Sequence, residues 1–174
     1  MKVDIKIKIA SGADLDGILA LQFENQPAQG GTLSGELGRE QIVAMMQDMP
    51  QVVAISEDQV VGYLLSTSKM VYKEHPVPIL DAMFSAYSGA LDSYVYGPIC
   101  VNKDLRGKGV AQLMFSELIK QVPNREGILF IRKDNIPSLR AHEKMGITKV
   151  GSFVFRDTVF DVLAYLPAAD KGNK

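Results

Sequence analysis

The sequence predicts a single domain of mixed α/β class: a twisted, mostly antiparallel sheet of about seven strands, one parallel pair within it, and helices on its faces. Three observations carry this. Seven short apolar or alternating segments read as strands, and two pairs of them are joined by only two or three polar residues, as hairpins are. Runs with helical spacing of apolar residues separate other strands. The stretch Tyr94–Gln121, YVYGPICVNKDLRGKGVAQLMFSELIKQ, reads strand, loop, helix, and the short apolar strand Ile128–Ile131 follows it. A helix between two such strands makes a right-handed parallel crossover the expected connection.

Size and composition agree. A chain of 174 residues fits one domain, and such a domain buries roughly 70% of its unfolded surface without staples. Its 47% hydrophobic and 22% charged content is ordinary for a globular protein. The net charge of -1 argues against a dedicated nucleic-acid binder. One cysteine, Cys100, lies in an apolar run, so neither an intrachain disulfide nor a cysteine metal cluster is expected, and no metal site is assigned. No signal peptide or membrane span is read, and a cytoplasmic protein is the default expectation.

Taken in order, Lys2–Ile9 alternates, with Val3, Ile5, Ile7 and Ile9 on one face, which predicts a half-buried strand near an edge. Ser11 and Asp14 suit a helix start, and Leu15, Ile18, Leu19, Ala20 and Phe23 form its stripe. Asn25, Pro27, Gly30, Gly31 and Gly35 mark a loop. A second helix runs from about Glu36 or Arg39 to Met49. Gln51–Ser56 and Val60–Thr67 form a hairpin across Glu57-Asp58-Gln59, and Gly62 signals a bulge or close packing. A short helix over Pro78–Tyr87 occupies the insert before the central strand, where acceptor-binding groups or a simple cover over the sheet are both expected. After Ile128–Ile131, Asn135 caps a helix to Met145 that Gly146 ends. Lys149–Phe155 and Thr158–Leu166 form the last hairpin, and Pro167 stops it. Residues 1–167 thus make the domain, and 168–174 a loose polar tail.

The turn between the central strand and helix carries the chemistry. It reads Arg106-Gly107-Lys108-Gly109-Val110-Ala111. Two glycines allow a close backbone approach, and a helix start offers free N–H groups and a dipole that favours anions. The pattern predicts a phosphate or pyrophosphate site, against the alternative of a flexible turn with solvated basic residues. It is neither of the common nucleotide loops. No Ser or Thr follows Lys108, and Gln112 stands where a dinucleotide fingerprint has its last glycine.

Arg106, Gly109 and Ala111 fill the Gln/Arg-x-x-Gly-x-Gly/Ala pattern of motif A of the GCN5-related N-acetyltransferase superfamily, and Gly97-Pro98-Ile99-Cys100-Val101 resembles the strand before it. Asn135, Ser138, Lys144 and Gly146 resemble motif B. With the order of elements, the resemblance covers almost the whole chain. It implies that the sheet splays between the strands at Tyr94–Val101 and Ile128–Ile131. It implies acetyl-CoA as cofactor. Its diphosphate would lie on backbone N–H groups at about Lys108 to Ala111, with Arg106 and Gly107 also among the cofactor-binding residues and Val110 included, and its pantetheine arm along Ile99, Cys100 and Val101. Asn135 would help fix the arm or its strand contacts, Ser138 is counted with the cofactor-binding residues, and a phosphate contact from Arg140 or His142 is one option. Many members place a thiolate-protonating tyrosine seven residues after the motif B asparagine; His142 stands there in this chain. Three roles stay open for it: general acid or thiolate stabiliser, cofactor phosphate contact, and simple packing.

Acetyl transfer to an amine also requires a base. The candidates are Glu24, Glu74, His75, Asp92, Tyr94 and Tyr96, with an ordered water chain as substitute. Strand alternation places Tyr94, Tyr96, Pro98 and Cys100 on one face. The expected acceptor is a primary amine on a small molecule or a peptide, with no nucleic acid or membrane partner and with homodimers common in the family. A non-catalytic acyl-CoA-binding module, and a transferase for longer acyl chains with a cavity lined by Met45, Met46, Met83 and Phe84, are the alternatives.

Overall fold

The computed structural model describes residues 4–31, 33 and 36–166. Lys2 and Val3 of the expected first strand, the turn residue Gly35, the stop at Pro167 and the tail 168–174 lie outside the described residues. The elements in chain order are β1 (Lys6–Ile9), α1 (Leu15–Glu24), α2 (Arg39–Asp48), β2 (Val52–Ser56), β3 (Gln59–Ser68), α3 (Lys69–Glu74) and α4 (Pro78–Ala86). They continue with β4 (Tyr94–Val101), α5 (Val110–Gln121), β5 (Gly127–Arg132), α6 (Ile136–Lys144), β6 (Thr148–Phe155) and β7 (Thr158–Tyr165). No described helix is long and apolar enough to cross a membrane.

The seven strands form one sheet in the order β1-β2-β3-β4-β5-β7-β6. Every neighbouring pair is antiparallel except β4 and β5. The mixed sheet is the predicted one, and β1 lies at an edge as its alternation requires. The short α3 was not legible, because six residues around Lys73 and Glu74 carry too little periodicity. Gly62 serves both purposes its position suggested. Val61 is an extra residue opposite Ala54 and Ile55, and a Cβ on Gly62 would meet the Cys100 carbonyl and Met114 at 3.3 Å.

Alternation along the strands sends side chains to two cores. On one face Val52, Ala54, Leu64, Leu129, Ile131 and Leu163 pack with Met114, Phe115 and Leu118 of α5. On the other, Val53, Tyr63 and Leu65 pack with α1 and α2, while Val95, Ile128 and Val162 pack with Leu80 and Met83 of α4. Helix α5 therefore covers one face, and α1, α2 and α4 cover the opposite one.

Strand β4 departs from alternation. Leu64 pairs with Ile99 and Ser66 with Tyr96, so two steps on β3 match three on β4. One extra residue at Gly97-Pro98 makes a bulge, and a bulge reverses which face the following residues occupy. Tyr94 and Tyr96 lie in the α5 core, but Cys100 lies in the α1–α2 core beside Tyr63. The expected common face for Tyr94, Tyr96, Pro98 and Cys100 is corrected accordingly.

Candidate active site

The parallel pair β4–β5 is joined at only two register positions, Tyr94 with Gly127 and Val95 with Ile128. Beyond them Tyr96 and Ile99–Val101 pair only with β3, across the bulge at Gly97-Pro98, and Leu129–Arg132 pair only with β7. The two strands diverge, and among the described residues the β4 backbone edge turned toward β5 has no strand to bond. A cleft of about 740 Å³ fills the divergence. It is lined by both strands, by the start of α5 and by α6.

The start of α5 is built to present backbone. Asn102 accepts a hydrogen bond from the Asp104 N–H (2.9 Å) and caps a one-turn helix over Lys103–Leu105. Leu105 is buried and anchors that turn. Gly109 then takes φ +82°, a left-handed conformation that a side chain disfavours, and α5 begins at the next residue. Among the described residues, none of the N–H groups from Gly107 to Gln112 donates to a protein acceptor. They form the free-donor end of a helix, bordering the cleft.

Arg106 takes another direction. Its Nε donates to the Val101 carbonyl (3.2 Å) and its Nη2 to Asn25 Oδ1 (2.6 Å). Asn25 is buried at the end of α1, and its Nδ2 donates to the Leu21 carbonyl (2.9 Å). The Arg106 guanidinium thus ties the turn to α1. Lys108 is exposed and outside the cleft lining, whereas Arg140 and Lys144 of α6 are part of it. Asn135 caps α6 by accepting from the Ser138 N–H (3.4 Å), and both residues border the cleft.

His142 and Tyr96 meet inside the cleft wall. Tyr96 Oη lies 3.1 Å from His142 Nε2, and His142 Nδ1 lies 2.8 Å from the Ser138 carbonyl oxygen. A carbonyl only accepts, so Nδ1 carries the ring proton. In the neutral ring Nε2 is then an acceptor, and the Tyr96 hydroxyl donates to it. Both side chains are buried, at 2% and 3% exposure. Burial lowers the His142 pKa, partly opposed by the Ser138 hydrogen bond, and burial pushes the Tyr96 phenol well above its usual range. Burial likewise pushes the Cys100 thiol up to about 11, so it is protonated at neutral pH.

Of the six base candidates, the structure brings only Tyr96 to this cleft. Glu24 lies beside a smaller depression with Asn102 and Asp104. Asp92 is exposed, and its carbonyl accepts from Arg125 Nε (2.9 Å). Tyr94 is buried against Gly127, with the Arg125 guanidinium 5.5 Å from its ring. Glu74 and His75 are exposed at the end of α3. Met45, Met46, Met83 and Phe84 pack in the cores under α2 and α4, so they do not line the cleft. The lining also holds residues that sequence reasoning passed over, among them Asn25, Val77, Leu80, Phe130 and Arg132. Asn25 and Arg106 are 81 residues apart, and no local pattern links them.

Comparison with known proteins agrees with this architecture. The profile of the acetyltransferase (GNAT) family matches residues 18–147. A search of curated proteins gave no match. Among solved structures, a GNAT-family acetyltransferase from Streptococcus agalactiae superposes with a TM-score of 0.69 at 16% identity, covering 95% of this chain and 96% of that one. The yncA protein of Salmonella typhimurium, solved with its cofactor acetyl-CoA, gives 0.68 at 14% identity over 96% of each chain. Arabidopsis thaliana NAA60, solved with a bisubstrate analogue, gives 0.68 at 13% identity over 95% of this chain and 99% of that one. At these identities the likeness is one of fold.

Proposed function

This chain belongs to the acetyltransferase (GNAT) family, and from that premise we propose that it transfers the acetyl group of acetyl-CoA to a primary amine held with it in a ternary complex. The observation that carries the reading is the meeting of two unpaired backbone surfaces in one cleft. One is the set of free N–H groups from Gly107 to Gln112, and the other is the β4 edge where β5 has turned away. A diphosphate suits the first and an amide-bearing arm suits the second. Gly107 to Ala111, the backbone of Ile99 to Val101, and Asn135, Ser138 and Arg140 are the residues that would hold the cofactor. When bound, it supplies an acetyl group activated as a thioester.

The chain's own residues supply position and a proton path. A free β4 N–H near Ile99 is a donor for developing charge on a carbonyl oxygen. The Tyr96 hydroxyl spends its proton on His142 Nε2, so the lone pairs of Tyr96 Oη are what it offers to the cleft. An acceptor amine can pass a proton to Tyr96 Oη while the phenol proton moves to His142 Nε2. The Ser138 carbonyl, bonded to Nδ1–H, steadies the imidazolium so formed. Because the neutral ring has no proton to give at Nε2, this reading makes His142 a proton acceptor in preference to a general acid. The test is release of free thiol from acetyl-CoA with a mixed amine panel. Amine-dependent release is expected; binding of CoA without release for any amine would leave only a non-catalytic binding module.

A further inference from the structure

The cleft borders both faces of the sheet, and the two differ in chemistry. On the α5 face it meets the free-donor turn, α6 and the Tyr96–His142 pair. On the opposite face it meets a wall of apolar side chains. Leu33 and Leu37, from the segment before α2, pack on the edge of the α1–α2 core. Val77, Ile79 and Leu80, around the start of α4, pack with Val95 and Phe130 of the two strands. The wall is graded. Val95 and Leu80 are buried, and Val95 sits at the last position where β4 and β5 still pair. Leu33, Leu37, Val77 and Ile79 are only half-buried, so apolar surface continues from that vertex toward solvent.

The wall is also held in place. Gln22 is 2% exposed, its Nε2 donates to the Leu37 carbonyl (2.9 Å), and its Oε1 accepts from the Leu37 N–H (2.8 Å). The Leu33 N–H donates to the Asn25 carbonyl (3.3 Å) at the end of α1. A buried amide that satisfies both backbone groups of one residue fixes that residue before any ligand arrives, which lowers the ordering cost of binding. On the transferase reading above, the pantetheine arm runs from the α5 turn back along β4, and the thioester ends near the vertex. Helices α5 and α6 cover one face there, so an acceptor comes in along the other, over the apolar wall. A long acyl chain laid on the same wall would fill that route. We infer that the wall is the acceptor subsite and takes a primary amine borne next to an uncharged apolar group, which loses its contact with water against Leu37, Val77 and Ile79. This rests on the transferase reading and deepens it by naming the acceptor class.

The experiment uses two matched pairs of acceptors, isoamylamine with ethanolamine and leucyl-diglycine with seryl-diglycine, and spermidine beside them. Each is assayed with acetyl-CoA and with octanoyl-CoA, in the wild type, Leu37→Ser and Ile79→Ser, with CoA binding followed by calorimetry. The expected result is that in at least one pair the apolar member leads in kcat/KM by about tenfold or more, and the pair that responds tells a free amine from a chain terminus. In both variants that lead shrinks, chiefly through KM, with CoA affinity retained. Equal use within both pairs, a lead for spermidine, or a lead that survives both substitutions overturns the inference and leaves the transferase reading standing. Preference for octanoyl-CoA over acetyl-CoA gives the wall to the acyl chain and overturns it too, as does CoA binding without turnover of any acceptor. Absence of CoA binding overturns the reading beneath it instead.

Discussion

Two side chains in the cleft wall decide whether the chemistry is built in. Tyr96 and His142 are both buried, and each satisfies the other. Tyr96→Phe removes the donor and leaves Nε2 buried without a partner, which costs about 1–3 kcal/mol. Stability by chemical denaturation is expected to fall by that amount, and kcat by about a hundredfold or more if the hydroxyl relays a proton. Wild-type kcat in the variant would remove the pair from the mechanism. Gly109 tests the anion site. Its φ of +82° disfavours any side chain by about 1–2 kcal/mol, and a Cβ there meets no protein atom within 4 Å. A leucine would therefore project outward from the free-donor end of α5. Gly109→Leu is expected to lower CoA affinity by well over tenfold in calorimetry, more than its loss of stability accounts for. The glycine was legible from sequence; the Tyr96–His142 contact, between residues 46 apart, was not.

At the scale of elements, the site depends on how α1, β4 and α5 are joined. Arg106 bonds the last carbonyl of β4 and the buried Asn25 at the end of α1. It acts as a strut that sets where the α5 turn sits. Asn25→Ala removes the strut and the bond to Leu21; Asn25→Asp keeps an acceptor for Arg106 but loses the donor to Leu21. Both variants are expected to lose stability, by about 1 kcal/mol. Only Asn25→Ala is expected to weaken CoA binding, by about fivefold in calorimetry. Equal affinities in the two would show that the strut has no part in the site. Strand β4 shows why element-level reading stops short. Its composition marks a strand correctly, but the bulge at Gly97-Pro98 shifts its phase, so Cys100 faces α1 and not the Tyr96 side. A bulge is defined by pairing with β3, and that pairing cannot be seen along one strand.

For the whole molecule, the buried imidazole links folding to pH. His142 has a lowered pKa in the folded protein because burial disfavours its charged form. The unfolded chain then binds a proton near the ordinary histidine value of about 6.5, while the folded protein does not until lower pH. Between those values the unfolded state holds more protons, so stability rises with pH. Its contribution is fully present above about 6.5 and is lost as pH falls from there toward the folded-state pKa. Denaturation midpoints are expected to drop between about pH 7 and 5, and His142→Gln is expected to flatten that slope. An unchanged slope would mean that other groups dominate the titration.

The sequence by itself determined the class of the domain, the seven strands, the helix that follows β4 and the glycine-rich turn between them. Each of these is written in near neighbours, as a period of two or of 3.6, a cap or a φ that only glycine takes easily. The tertiary structure alone decided where β4 and β5 part, which face each β4 side chain occupies, that Arg106 braces Asn25, and that Tyr96 meets His142. Those facts are contacts between distant parts of the chain, and they exist only once packing has chosen a register.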